Sequence, residues 1–156
     1  MADTPPYNTL PNITAWVKSL GYKGVQIPSW DGRVIDVKKA AESKAYCDDL
    51  QAQTNGLAVT ELASHLQGQL VAVHPAYNDM FDAFAAPEVR GNPKARTEWA
   101  VRQMRYVIKA SNNMGLTASP SFTASRKVKR GSSIAALIRG LRYEHGVPLM
   151  KRTPRA

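Results

Sequence analysis

The sequence predicts an α/β fold in which helices alternate with the strands of a parallel sheet. A helical pattern, a glycine and a strand pattern follow one another three times, and the glycines are Gly21, Gly56 and Gly115. Helices that return directly to strands are typical of a parallel sheet. With 156 residues, of which 44% are hydrophobic, the chain is long and apolar enough to bury the core of a single domain.

The first helix and strand are predicted between residues 11 and 28. Apolar residues at helical spacing mark the helix, namely Ile13, Trp16, Val17 and Leu20. Pro11 suits the first turn, and Gly21 suits the left-handed position beyond the end of the helix. We expect Trp16 to pack into the domain. The short stretch 22–27 then predicts a strand that ends at Pro28.

The second helix is predicted to begin at an Asp36 cap and to end near Gly56. Its apolar face consists of Val37, Ala40, Ala41, Cys47 and Leu50. Residues 57–62 then predict a second strand. Cys47 is the single cysteine of the chain, which excludes a disulfide scaffold, and its place in mid-helix predicts a buried structural thiol.

The third helix is predicted from about Pro93 to Met114, and residues 116–119 are a candidate for a further short strand. Residues 63–92 precede this helix as a loop of about 30 residues, and loops of that length are usually functional. The loop follows the carboxyl end of a predicted strand, where the sites of parallel α/β proteins lie. It therefore predicts a functional segment.

Three residue runs in the predicted α/β region carry a family resemblance. Residues 21–31, 60–77 and 89–100 read GYKGVQIPSWD, TELASHLQGQLVAVHPAY and VRGNPKARTEWA. They resemble the sugar phosphate isomerase/epimerase family, part of the xylose-isomerase-like TIM-barrel superfamily. The middle run is the most specific because it contains paired histidines, and the resemblance covers roughly residues 7–123.

The resemblance implies a (β/α)8 barrel that isomerises or epimerises a sugar or sugar phosphate with a divalent metal (Mn, Mg, Co or Zn). A whole barrel needs about 250 residues. We therefore expect a partial TIM barrel with about three parallel strands in residues 1–123. The family's metal ligands come mainly from later strands and have no counterpart in this chain. We expect a truncated or frame-shifted copy that is inactive alone, with fusion to an unrelated segment as an alternative. No catalytic residue is assigned.

Five residues are candidates for contact with the sugar. His65 matches the family's strand-end histidine, which implies a sugar contact or a metal ligand; the alternative is a hydrogen-bonded loop histidine. His74 would either coordinate a metal together with His65 or be a loop histidine that shapes its turn. Strand alternation puts residues 61 and 65 on one face, so Glu61 either shares the barrel interior with His65 or pairs with Lys or Arg. Trp30 follows the strand that contains Gln26, and it either stacks on a sugar ring or plugs the barrel rim.

The net charge of +9 is concentrated after residue 123. Residues 124–156 carry nine Lys or Arg and one acid, whereas residues 1–123 have a net charge of +1. We interpret residues 124–156 as a basic helical tail of unrelated character, with an amphipathic pattern at 134–141. It is a frame-shift product, a cover for apolar barrel surface, or the core of an alternative function: a small basic module that binds nucleic acid or an anionic surface.

The remaining expectations concern location and assembly. The sequence contains no apolar run of about 18 residues and no signal-peptide pattern, so we expect a cytoplasmic protein without a membrane span. A partial barrel leaves sheet edges unpaired, and such edges favour self-association.

Overall fold

The computed structural model of the protein describes residues 4–117. These residues form a mixed α/β fold with a two-stranded parallel sheet, which confirms the predicted class. The basic tail 124–156, with its proposed nucleic-acid contact, lies outside the described residues. The elements are α1 (Leu10–Ser19), β1 (Gly24–Pro28), α2 (Val37–Glu42), α3 (Lys44–Ala52), β2 (Ala58–Ala63), α4 (His65–Gly68), α5 (Asn78–Asp82) and α6 (Pro93–Asn113), with 3-10 turns at Gln69–Ala72, Pro75–Tyr77 and Pro87–Val89.

Side-chain caps determine where four of these helices begin. Each cap accepts a hydrogen bond from the backbone N–H three residues further on, which satisfies a donor that the helix leaves free. The Asp36 cap that the sequence predicts is confirmed, with Lys39 N donating to its carboxylate at 3.0 Å. The other three caps are Thr9 for α1, Ser43 for α3 and Asn92 for α6.

The second predicted helix is wrong as a single element, because Ser43 divides it into α2 and α3. The Ser43 backbone is extended, with φ −136° and ψ 112°, and its hydroxyl accepts a hydrogen bond from Tyr46 N at 3.2 Å. A serine hydroxyl competes for backbone groups in this way, so it ends one helix and begins the next. The predicted third helix is confirmed as α6.

Strands β1 and β2 pair in parallel with one irregularity. Val25 is opposite Val59, whereas the next residue, Gln26, is opposite Glu61. Thr60 is therefore an extra residue in β2, which makes a β-bulge. Its hydroxyl donates to Val25 O at 3.1 Å and holds the bulge against β1.

The bulge decides which residues of β2 face the helices. Val59 and Leu62 are three residues apart, yet both belong to the main core together with Ile27 of β1. Successive residues of a strand point to opposite faces, so Glu61 lies on the face turned away from this core. Gly24 leaves room for the bulge, because a Cβ there would lie 2.8 Å from Thr60 Cγ2.

The main core lies between the sheet and the helices α1, α2, α3 and α6. The side-chain amide of Asn113 donates to Ala40 O at 2.9 Å and ties the end of α6 to α2. Cys47 is fully buried in this core, as predicted, and burial raises the pKa of its thiol. A second, smaller group is called the loop cluster here and consists of Leu70, Ala85, Val89 and Ala100.

Two expectations about apolar residues and strands do not hold. Trp16 is 45% exposed, so the expectation that it packs into the domain is wrong; its ring meets Tyr7 edge to face at 5.4 Å. Leu116 and Thr117, the described part of the predicted further strand, are not in a strand, and residues 118–119 lie outside the described range. The partial barrel therefore stays a prediction.

Within residues 4–117, no helix has both the length and the apolar character needed to cross a membrane. In the same part of the chain, β1 and β2 pair with each other along one edge each. Self-association through sheet edges stays a prediction.

Candidate functional site

The carboxyl ends of the two strands bring two chemically rich segments to the same edge of the sheet. Ser29 N donates to Ala63 O at 2.9 Å, so the parallel pairing continues just beyond β1. Trp30 lies two residues after the end of β1, and His65 begins α4 two residues after the end of β2. Sites of parallel α/β proteins lie at this edge, because loops from neighbouring strands converge there.

Gln26 and Glu61 form a polar pair inside the sheet. They are opposite each other in the register, and the Gln26 side-chain amide donates to the Glu61 carboxylate. Both lie on the face turned away from the main core, and Gln26 is exposed. Within residues 4–117, Glu61 therefore pairs with an amide and not with Lys or Arg, which was one of its two alternatives.

Trp30 and His65 lie beside each other beyond the carboxyl ends of these two strands. Their ring centroids are 6.0 Å apart with an interplanar angle of 46°. His65 belongs to the first turn of α4, so the strand alternation that predicts a shared face with Glu61 ends before it, at Ala63. The four residues Gln26, Trp30, Glu61 and His65 are called the strand-end cluster here.

His74 takes a local structural position. It caps the 3-10 turn Pro75–Tyr77, and its Nδ1 accepts a hydrogen bond from Ala76 N at 3.2 Å. Its ring lies 5.9 Å from the Tyr77 ring, and the side chain is otherwise exposed. These contacts are those of a histidine that shapes its turn, the second of the two alternatives for this residue.

A salt bridge shapes the loop after Trp30. The Arg33 guanidinium donates to both carboxylate oxygens of Asp31, at 2.9 and 2.8 Å. These hydrogen bonds are the main cause that holds the pKa of Asp31 below its ordinary value. Val34 N also donates to Asp31 O at 2.9 Å, which turns the chain back toward α2.

The described residues do not fit the metal that the family resemblance implies. No three His, Cys, Asp or Glu side chains in residues 4–117 come together as a group that could hold an ion. We therefore derive no chemical step through a metal here.

A pocket of about 500 Å³ opens beside the strand-end cluster, and Trp30 lines it. Its walls come from the loop after β1, from α4, from residues 84–86 and from α6. Aromatic lining is provided by Trp30, Phe84 and Trp99, and polar lining by Ser29, Gln67 and Gln103. We call it the Trp30–Trp99 pocket.

Arg96 fixes the loop that forms one wall of this pocket. This arginine on α6 is 1% exposed, and its guanidinium donates to Asn78 O at 2.7 Å, to Asn78 Oδ1 at 2.6 Å and to the Asp82 carboxylate. The other oxygen of that carboxylate accepts from Gly91 N at 2.7 Å. Residues 78–91 are thereby clamped onto α6, and the clamp sets the position of Phe84.

This clamp predicts a pH dependence of stability. The backbone N–H of Gly91 and then the Arg96 guanidinium hold the pKa of Asp82 below its ordinary value of 3.8. The folded state therefore prefers the carboxylate. The contribution of the Asp82 interactions to stability is complete above pH 3.8 and is lost as the pH falls through the lower pKa that Asp82 has in the folded state. We expect the urea midpoint to fall between pH 6 and pH 3, and Asp82→Asn to remove part of that fall.

Asp79→Asn is the matched control, because Asp79 is an exposed carboxylate on the same short helix. An equal change in the pH profile of both variants would show that the clamp does not bind the ionised form of Asp82 preferentially.

Ser29, Gln67 and Trp99 line the pocket but are not among the residues that the sequence predicts for a site. A signal exists for two of them, since Ser29 directly follows β1 and Gln67 lies in α4, the short helix after β2, in the segments where a site is expected. Trp99 is far away in sequence on α6, and its helical spacing predicts only packing.

The chain matches no protein-family model and no curated protein. The residues of the site are therefore the basis for a proposed function.

Proposed function

We propose that the chain is a sugar-binding protein of the sugar phosphate isomerase/epimerase type, and that its strand-end cluster contacts the sugar. The observation that carries the proposal is the pairing of Gln26 with Glu61 on the sheet face opposite the main core. Trp30 and His65 follow the same two strands beyond their carboxyl ends. The sequence resemblance is the second support.

The chemistry of these four side chains suits a polyhydroxylated ligand. The Gln26 amide and the Glu61 carboxylate offer donors and acceptors side by side, as two neighbouring hydroxyls require. The exposed Trp30 ring offers an apolar face for the C–H side of a sugar ring, and His65 adds a further donor or acceptor. One polar pair, one histidine and one aromatic face are a sparse but sufficient set for orienting a small ligand.

The proposed activity of this chain by itself is binding without turnover. In the family that the sequence resembles, a divalent metal stabilises charge on the substrate oxygens, and the described residues provide no group of ligands for that ion. The residues that we assign therefore bind and orient, and none is assigned a proton transfer.

The test is a calorimetric titration of the full chain with a ketohexose and with its phosphate ester. We expect saturable binding, and at least about tenfold weaker binding for Glu61→Gln, because one strong acceptor becomes an amide, at a cost of about 1.4 kcal/mol per tenfold. Glu98→Gln is the control, since Glu98 is exposed on α6.

Two outcomes would contradict the proposal. If neither sugar binds, or if both variants bind equally well, the strand-end cluster is not the sugar site. If the chain exchanges substrate protons with solvent when Mn²⁺, Mg²⁺ or Co²⁺ is added, binding without turnover is wrong.

A further inference from the structure

Helix α1 does not bury the apolar stripe that its sequence predicts. The stripe is called the α1 stripe here and consists of Ile13, Trp16, Val17 and Leu20. The helix is buried through Leu10 and Thr14, whereas Trp16 and Leu20 are 45% and 56% exposed. A surface helix normally turns its apolar stripe toward a packing partner. Residues 4–117 leave this stripe partly uncovered, so it is a candidate contact surface.

Two tyrosines extend the α1 stripe. Tyr7 is 36% exposed, and its ring holds Trp16 edge to face at 5.4 Å. Tyr22 is 61% exposed and lies two residues beyond Leu20. With about 200 Å² for each side chain, the exposed parts of these four residues add up to roughly 400 Å². Apolar patches of a few hundred Å² on a soluble protein are often interaction sites.

The charges of α1 favour an apolar protein partner. Lys18 is the one charged side chain of the helix, and its ammonium donates to Asn55 O at 2.8 Å. Asn55 also donates to Thr14 Oγ1, so Lys18 reaches toward the buried side of α1. Charged residues are depleted at the core of protein interfaces, whereas tryptophan and tyrosine are enriched there. The α1 stripe has this composition.

A small apolar pocket lies beside the stripe. Its volume is about 230 Å³, and its walls come from α1, from β1 and from the loop after β1. Ile13 and Val17 line it on the side of α1, and Val25 lines it on the side of β1. Gln26 also borders the pocket, but its side-chain amide donates to Glu61 on the other face of the sheet. The pocket therefore suits an apolar side chain.

The spacing of the α1 stripe makes it complementary to a second copy of itself. Two α1 helices that pack antiparallel, with a two-fold axis between residues 16 and 17, bring position 13 opposite position 20 and position 16 opposite position 17. Trp16 then meets the partner's Val17 at the mouth of the partner's apolar pocket. Two-fold contacts of this kind, with the same patch on both subunits, are the commonest in soluble oligomers.

We propose that the chain forms a two-fold homodimer in which two antiparallel α1 helices pack through their stripes. Interfaces of standard size bury about 800 Å² per partner, of which slightly more than half is apolar. The roughly 400 Å² of exposed apolar side chains supplies most of that apolar share. The dimer depends on none of the proposed sugar contacts and stands or falls independently of them.

The experiment is sedimentation equilibrium of the full chain between about 1 and 200 μM. We expect the mass to rise from one chain to two, with a dissociation constant on the order of micromolar. The dimer should persist in about 0.5 M NaCl, because salt does not screen apolar contacts, whereas association through the basic residues 124–156 would be lost. A chain that covers the stripe with its own residues 134–141 would stay monomeric.

The variant Leu20→Glu should weaken the dimer at least about hundredfold, because the two-fold axis buries the new carboxylate twice. Leu20 is exposed in the single chain, so this variant should fold as the parent does. Met80→Glu is the matched control, since Met80 is a 70% exposed apolar residue on α5. It should leave the dissociation constant unchanged.

A charge pair tests the antiparallel register. In this register position 13 of one copy faces position 20 of the other, so Ile13→Lys combined with Leu20→Glu places an ammonium opposite each carboxylate. The double variant should recover at least about tenfold of the affinity that Leu20→Glu loses. Ile13→Lys alone should weaken the dimer, which shows that the recovery requires the pair.

The proposal is overturned by any of three results. The full chain stays monomeric up to about 200 μM; or Leu20→Glu and Met80→Glu have equal effects on the dissociation constant; or the double variant dimerises no more tightly than Leu20→Glu. None of these results bears on the sugar titration, which measures a different equilibrium with a different variant.

Discussion

Replacing Arg96 with methionine should lower the free energy of unfolding by about 3 kcal/mol. The arginine is 1% exposed, and its three hydrogen bonds go to two residues that precede it by 14 and 18 positions. Methionine fills a similar volume, so the loss comes mainly from the charged hydrogen bonds. The Asn78 carbonyl and the Asp82 carboxylate would then be left with fewer partners.

The loss should be concentrated in the loop that Arg96 clamps. Hydrogen exchange of the backbone amides in residues 78–91 is expected to accelerate, while exchange in β1 and β2 follows only the change in global stability.

Arg102→Met is the matched control for this prediction, since Arg102 is an exposed arginine on the same helix. It should change the free energy of unfolding by no more than about 0.5 kcal/mol, as measured by urea unfolding. An equal loss in both variants would mean that the effect comes from removing positive charge from α6 and not from the clamp.

The features of the fold that the sequence predicts are local. Asp36 caps α2, and Gly21 and Gly115 have positive φ values directly after the C-caps of α1 and α6. Helix α6 spans Pro93–Asn113, close to its predicted bounds. Each of these features depends on residues within four positions of one another, and for that reason a pattern along the chain is enough to find them.

Features that depend on distant partners are absent from the sequence prediction. The bulge at Thr60 depends on how β2 pairs with β1, and the Arg96 clamp depends on a loop that folds back onto α6. Trp16 is exposed although its spacing is helical, because spacing shows which residues share a face and not what covers that face. For the candidate site, the strand-end positions of Trp30 and His65 were predictable, whereas Trp99 was not.

The prediction with the second large effect concerns Leu62, whose replacement by alanine should destabilise the fold by about 3 kcal/mol. Leu62 is 0% exposed and packs in the main core between the sheet and the helices. Thr60→Ala in the same strand should cost at most about 1 kcal/mol, because it removes one exposed hydrogen bond to Val25 O. Urea unfolding of both variants measures the difference.

This pair of variants tests the bulge and the face of the candidate site together. Val59 faces the core, so a strand with regular alternation would put Glu61 on the core side and would put Leu62 on the opposite face with Thr60. Leu62→Ala would then cost no more than Thr60→Ala. A large difference between the two variants requires the bulge, and the bulge is what turns Glu61 away from the core and toward Gln26. A small difference would remove the geometry on which the proposed sugar contact depends.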